Sequence, residues 1–263
     1  MLKIATFNVN SLRARMDVVT RWLQESSPDI ALLQEIKCID DEFNKLDFKS
    51  LGYHGISHGQ KSYNGVAVLS RRPIDAVIQK NLPPIDDGPM DEQARFLSVR
   101  IGDLNIASLY CPNGNPVDSE KYSYKLKWMK ELQHYIDNFI YPSEKKWILG
   151  GDYNICPEDI DVYDPIAWAN DALCLPESRS AYRRIINKGF VNAWRHFNPD
   201  SNDIYSYWDY VKGRYYKNQG LLIDHLLLSP AAADILVSAD IEGTPRGWEK
   251  PSDHTPVVAL LDI

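Results

Sequence analysis

The sequence predicts an α/β fold of four layers, two mixed β-sheets packed face to face with helices outside, on three observations. Short apolar runs of strand length recur along the chain. Segments with helical periodicity interleave with them irregularly, which favours a layered α/β architecture over a bundle or an all-β sandwich. The 263 residues, 44% of them hydrophobic, suffice for one core that buries ~75% of the unfolded chain's surface. Positions 1–263 are therefore read as a single domain.

In order, "KIATFNVN" reads as a strand ending at Asn8 and Asn10. "SLRARMDVVTRWLQESSP" sets Leu12, Met16, Val19 and Leu23 at helical spacing and stops before Pro28. "DIALLQEIK" is a strand ending at Gln34 and Glu35. "YNGVAVLS" and "RFLSVRIG" alternate as half-buried strands do, and "NLPPIDDGPMDEQ" (81–93) between them is a Pro-rich, acidic loop. "LNIASLYCPNGN" ends at Tyr110 and Asn113, "EKYSYKLKWMKELQHYIDNFI" has helical periodicity, and "KWILGGDYN" ends at Asp152 and Asn154. "ESRSAYRRIINKGF" is a helix closed by Gly189. "GLLIDHLLLS" supplies Asp224. "KPSDHTPVVALLDI" supplies Asp253 and His254 from a loop bracketed by Pro251 and Pro256 and leading into the last strand.

Composition narrows the class. No apolar run reaches the ~18 residues of a membrane helix, and the first residues, "MLKIATFNVN", do not resemble a secretory signal. Four cysteines, widely spaced and without CxxC, read as reduced thiols, so a cytoplasmic location is expected. A net charge of −7 argues against broad, charge-driven nucleic-acid binding but allows a local basic track with a metal between acid and phosphate.

Taken singly, the polar residues at these strand ends have ordinary readings. An Asn after a strand is a turn residue, Glu35 a helix-start carboxylate, the Asp of "GGDYN" a turn, Tyr110 a strand aromatic and His254 a surface histidine. Taken together they suit one reaction, because strand ends can converge at one sheet edge. Carboxylate and amide oxygens are the hard ligands of Mg²⁺, with Mn²⁺ able to substitute. Phosphoryl chemistry needs such a metal, an acid to position water, and donors on the phosphate oxygens.

"TFNVNSLRAR", "LLQEIK", "LYCPNGN", "GGDYN", "LLIDHLLLS" and "KPSDHTPV" occur in the order and approximate spacing of the exonuclease III family of Mg²⁺-dependent DNA-repair nucleases, and the chain resembles that family over its whole length. The resemblance implies the DNase I-like endonuclease/exonuclease/phosphatase fold and a monomer that hydrolyses phosphodiesters of double-stranded DNA at abasic sites and 3′ ends to leave 3′-hydroxyl ends, as 3′→5′ exonuclease, 3′-phosphatase and abasic-site endonuclease. It implies Glu35 as principal metal ligand with Asn8 beside it, and Asp253 at a second or alternative metal position. Asp152 would orient or deprotonate the attacking water, with Asn154 holding that water or the phosphate; both, with His254, fall in the implied metal-site set. Tyr110 and Asn113 would contact the scissile phosphate, and Asp224 would bond His254. Tyr207, Trp208 and Ile223 match the pocket for a base-less sugar. Where many members read Gly-Trp-Arg-Ile-Asp, this chain has Gly220-Leu221-Leu222-Ile223-Asp224.

The residues argue the same roles on physical grounds. Asp224 beside His254 would favour imidazolium, making the histidine an electrostatic clamp on charge developing at phosphate. Whether Asp152 takes the proton or only orients water stays open. Basic residues in or beside the motif loops, Arg13, Arg15, Lys37, Lys61, Arg71, Arg72, Lys121 and Lys125, are candidates to track phosphates. So is the aromatic and basic stretch 205–222, whose other reading is a strand pair packed in the core. Trp168 and Leu173, in the loop 161–178, are expected near the site. Two other function classes use this fold: a catalytically silent binding protein, which could dispense with the acids, and a lipid or small-molecule phosphatase, which would need no such aromatic stretch.

Overall fold

The computed structural model describes residues 1–86 and 88–263. In chain order its strands are β1 (Leu2–Asn8), β2 (Ile30–Gln34), β3 (His54–His58), β4 (Val66–Ser70), β5 (Ala76–Lys80) and β6 (Phe96–Ile101). They continue with β7 (Leu104–Tyr110), β8 (Lys146–Asp152), β9 (Val191–Asn192), β10 (Asp224–Leu228), β11 (Leu236–Ile241) and β12 (Val257–Leu261). Two six-stranded sheets result, ordered β11-β12-β1-β2-β4-β3 and β5-β6-β7-β8-β10-β9. Each is mixed: β1 and β2 are the parallel pair of the first, β7 and β8 of the second, and the other pairs are antiparallel. The loop read at 81–93 is irregular over its described residues, and position 87 within it lies outside them.

The period-2 alternation of the central strands decides which layer each side chain enters. Leu2, Ile4, Ile30, Leu32, Val66 and Val68 point inward and meet Leu97, Val99, Ile106, Ile148, Leu226 and Leu228 from the facing sheet. Their neighbours Ala5, Phe7, Ala31, Leu33, Ala67 and Leu69 point outward onto Val18, Val19, Trp22 and Leu23 of helix α1 (Leu12–Glu25). On the far side, Phe96, Ala107, Leu109, Leu149 and Leu227 are covered by two helices. Of the short α2 (Asp40–Phe43), long α3 (Glu120–Tyr135), short α4 (Pro165–Trp168), α5 (Pro176–Ile186), α6 (Ala193–Phe197) and α7 (Pro230–Ala233), these are α3 and α5. Each Val, Leu, Ile or Phe so buried contributes ~1.5–3 kcal/mol. The order of layers is helix, sheet, sheet, helix, as the sequence predicts.

The sandwich is not apolar throughout. Toward one end, Thr6 Oγ1 donates to Gln34 Oε1 at 3.2 Å, Gln34 Nε2 to Ser108 Oγ at 3.0 Å, and Ser108 Oγ to the Leu33 carbonyl at 3.0 Å. Buried polar groups are tolerated because each finds a partner. This network leads out of the apolar core to the sheet edge where the reactive side chains lie. No helix among the described residues is long and apolar enough to cross a membrane, and the four cysteines are free and buried.

Candidate active site

Strand direction gathers the site. Because β1 runs parallel to β2 and β7 to β8, all four carboxyl ends emerge at one edge. Asn8 lies opposite Gln34, and Tyr110 opposite Asp152. The antiparallel β10 begins at that edge, with Asp224 opposite Asp152 on its other flank, and β12 likewise begins there, just after His254. Residues as distant in sequence as 8 and 254 thus become neighbours.

Local backbone features aim the side chains. A Cβ at Gly151 would run into the carbonyl oxygen of Leu109, and one at Gly150 would meet Leu32 and Leu226 at 2.5 and 2.7 Å, so the two glycines before Asp152 allow the close approach of strand and sheet. Glu35 takes φ +51°, an uncommon left-handed conformation for a non-glycine. Its carboxylate lies within reach of Asn8 at the end of β1. At 253–254 the chain is a bend and an isolated bridge, which frees adjacent Asp253 and His254 to face one pocket.

Asn8 joins the two sheets. Its Nδ2 donates to Glu35 Oε1 and to Asp152 Oδ2, each at 2.9 Å, while its Oδ1 accepts from the Asn10 amide at 3.0 Å. The second oxygen of Glu35 pairs with Lys37 Nζ at 2.9 Å, and the second oxygen of Asp152 accepts from the Asn154 amide at 2.8 Å. Asp224 Oδ2 accepts from Ser206 Oγ at 2.6 Å and from His254 Nδ1 at 2.8 Å; its Oδ1 is buried without a partner among the described residues. His254 Nε2 lies 3.7 Å from Asp152 Oδ2, beyond hydrogen-bond range.

These contacts set the charge states. Burial alone would push His254 down, but the carboxylates of Asp224 and Asp152 outweigh it and raise it to about 10, so the ring is imidazolium. Burial raises Asp152, with Asp224 and Glu35 adding to the effect and His254 opposing it, to about 7. Burial would also raise Glu35, yet the ammonium of Lys37 and the amide of Asn8 hold it below its usual value. The Tyr110 phenol, buried and beside Glu35 and Asp152, is pushed well above its ordinary value and stays protonated. Arg95 stacks over its ring at 4.7 Å.

A pocket of about 260 Å³ opens over this cluster, lined by Glu35, Tyr110, Asn113, Asn115, Asp152, Asn154, Trp168, Asp171, Leu173, Tyr207, Ile223, Asp253 and His254. Charged and amide side chains dominate the lining, with Trp168, Leu173, Tyr207 and Ile223 its apolar part. The model of the endonuclease/exonuclease/phosphatase family matches residues 5–254. Exodeoxyribonuclease III of Haemophilus influenzae is 34% identical, over 98% of this chain and 99% of its own. The chain belongs to the exonuclease III family. An apurinic/apyrimidinic (AP) endonuclease from Archaeoglobus fulgidus superposes with a TM-score of 0.92 at 39% identity, and a 3′ phosphatase from Neisseria bound to product DNA hairpin with 0.93 at 34%, each over the full length of both chains.

Exonuclease III-family members are metal-dependent, and the donor set here suits a hard cation. Glu35, Asp152 and His254 each offer an atom within 4.8 Å of the others, and each carboxylate oxygen keeps a lone pair beyond the bond it accepts. The geometry separates the three, however. With Nδ1 on Asp224, His254 has only Nε2 to offer, and only as the neutral ring, whereas each carboxylate offers an oxygen directly. Asn8 turns its amide nitrogen toward them, and Asp253 accepts from Asn10 Nδ2 at 3.0 Å elsewhere on the pocket rim.

Not every residue singled out in the sequence reaches the pocket. Tyr207 bridges to both Leu221 and His254 and is extended, so its neighbour Trp208 points the opposite way. Trp208 is buried, its indole donating to Asn218 at 3.2 Å. Arg13 is exposed on α1 and pairs with Glu42, and Lys37 is held by Glu35. Lys125, grouped with the surface cations, is wholly buried. The stretch 205–222 is paired within itself only at the isolated bridge between Tyr207 and Leu221 and divides its aromatics: Tyr205 and Trp208 are buried while Tyr210 and Tyr216 are exposed. Ser206, Asn115 and Asp171 were not singled out, since a lone Ser, Asn or Asp in a loop carries no periodicity to mark it. In the departing segment, Leu221 and Leu222 are both buried.

Proposed function

We propose that this chain is a DNA-repair nuclease, dependent on Mg²⁺ or Mn²⁺, that hydrolyses phosphodiesters and phosphomonoesters at 3′ carbons of duplex DNA to leave 3′-hydroxyl ends. It would work in the cytoplasm as a monomer and as one catalytic domain over 1–263. The observation that carries this reading is the Asn8 amide joining Glu35 to Asp152 under a pocket that also holds a cationic His254 and a protonated Tyr110. Kinship with an exodeoxyribonuclease, an AP endonuclease and a 3′ phosphatase supports it. One attack on a phosphorus beside a 3′ carbon serves all three activities.

Glu35 and Asp152 would hold the cation, which when bound supplies Lewis-acid polarisation of a phosphoryl oxygen. Asp152, raised to about 7 by burial while no cation is bound and brought lower once one is, would orient the attacking water or take its proton. Its two oxygens are fixed by the Asn154 amide and Asn8, so its orientation is set before substrate arrives. His254 presents Nε2–H to a nonbridging oxygen with Asp224 behind it. Tyr110, and the Asn113 amide whose nitrogen also donates to Asn154 Oδ1 at 3.0 Å, would donate to the phosphate, where preorganised donors stabilise developing charge. Tyr207, Trp168, Leu173 and Ile223 form the apolar wall on which the sugar would rest.

The test is incubation with three labelled duplexes, one with an abasic site, one with a recessed 3′ end and one with a 3′-phosphate, with Mg²⁺ or with chelator. Metal-dependent release of 3′-hydroxyl products is expected. Binding without turnover on any duplex would favour a silent binder, and hydrolysis of inositol phosphates or liposomal lipid instead of DNA would favour the phosphatase class.

A further inference from the structure

One wall of the pocket is made of three separate loops: the turn after β7, the turn after β8, and the segment leading into α5. A single side chain from α3 ties them together. Lys125 is 0% exposed, and its Nζ donates to the carbonyls of Asn113 at 3.0 Å, Asn154 at 2.5 Å and Ala172 at 3.1 Å. An ammonium has three N–H donors and no acceptor. Every proton is used, each on a different loop.

The residues carrying those carbonyls reach the pocket directly or through their neighbours. Asn113 and Asn154 line it and are bonded to each other, and Asp171 and Leu173 line it on either side of Ala172. Gly114 is shaped around the lysine stem: at φ +93°, a Cβ there would come within 2.8 Å of Lys125 Cδ and 3.1 Å of Ala172 Cβ. The "PNGN" turn wraps this side chain. An interior cation is costly, and burial pushes Lys125 below its ordinary pKa; an apolar residue of similar volume could fill the space without that penalty. Packing therefore does not account for the charge, whereas the joining of three loop carbonyls does.

We propose that Lys125 is a positioning residue: its buried ammonium locks Asn113, Asn154 and Leu173 into one wall, and it acts on the reaction through them without touching substrate. The proposal rests on the nuclease reading for its kinetic consequence but not for its structural one. Misplacement of catalytic groups by about 1 Å costs on the order of 100-fold in rate. K125M, similar in length and uncharged, should lower kcat by that order on whichever duplex the wild type cleaves and leave KM within about three-fold, the pattern of a lost transition-state interaction.

Hydrogen exchange gives the readout that is independent of activity. In K125M, amides in 111–116, 153–157 and 170–175 should lose protection together while β8 and β10 keep theirs. L132A, further along the same helix and buried in the outer core, is the control for general destabilisation; it should keep wild-type kcat below its melting temperature. Should K125M not fold, K125Q is measured in its place. A folded K125M or K125Q with wild-type kcat, an equal kcat loss in L132A, or exchange that is unchanged or raised uniformly would overturn the assignment. A wild type without turnover on any DNA would contradict the nuclease reading instead, and the exchange pattern would then decide the role of Lys125.

Discussion

His254 Nδ1 donates to Asp224 Oδ2 at 2.8 Å across the seam between the sheets, and with Asp152 this carboxylate holds the imidazole in its charged form. The residue beside it in sequence, Asp253, is not its partner.

The first consequence concerns pH. His254 is raised to about 10, so the imidazolium is present through neutral pH and is lost only as pH climbs through that value. In D224N the histidine loses its principal charged partner, and its charge should disappear at lower pH. The alkaline limb of kcat/KM should move acidward, with a loss of roughly 10- to 100-fold at pH 8. A pH–rate profile of D224N superimposable on that of the wild type would contradict the role given to this pair.

Asn8 supports a second expectation. Its amide is the shared donor between Glu35 and Asp152, so N8A leaves two carboxylates facing each other with one donor fewer apiece. A destabilisation of about 1–3 kcal/mol is expected in chelator, and added Mg²⁺ should restore part of it, because a cation bound only by the folded state stabilises that state. Urea denaturation of N8A with and without Mg²⁺ checks this; a variant as stable as wild type in chelator would count against the bridge.

His225 provides a test away from catalysis. It is wholly buried, with Nε2 donating to the Ile155 carbonyl at 3.1 Å and Nδ1 accepting from Asn192 at 3.2 Å, and burial pushes it down to about 4. A histidine depressed in the folded state stabilises it above the unfolded value near 6.5, and that contribution is lost as pH falls from there through about 4. The loss should be on the order of 3 kcal/mol, read as the pH dependence of the unfolding free energy. H225Q, which can still donate and accept, should flatten that dependence.

Much of this was legible in the sequence because the central strands are buried on both faces and end in chemistry. The runs at 2–8, 30–34, 104–110, 146–152, 224–228 and 257–261 are buried almost throughout, and the polar residues at or just beyond their ends at one edge are the ones the site collects. The strands that went unread, β3, β5, β9 and β11, are the four sheet edges; half exposed, they carry no clean alternation. Trp208 shows another limit: the motif put it beside Tyr207, and the extended backbone sent it the other way. Lys125 shows a third, since a lysine on a helix gives no sign in sequence that three carbonyls await it in the interior.

The central claim is that Asp152, fixed by Asn8 and Asn154, handles the attacking water beside a divalent cation held with Glu35. The most direct measurement is the single-turnover rate of D152N against wild type on a duplex bearing a 3′-phosphate, with Mg²⁺ and with chelator, alongside the dissociation constant for the same DNA. A rate lower by ~10²–10⁴-fold in D152N, no wild-type turnover in chelator, and affinity within a few-fold are expected. A D152N rate equal to wild type, or turnover that survives chelation, would contradict it.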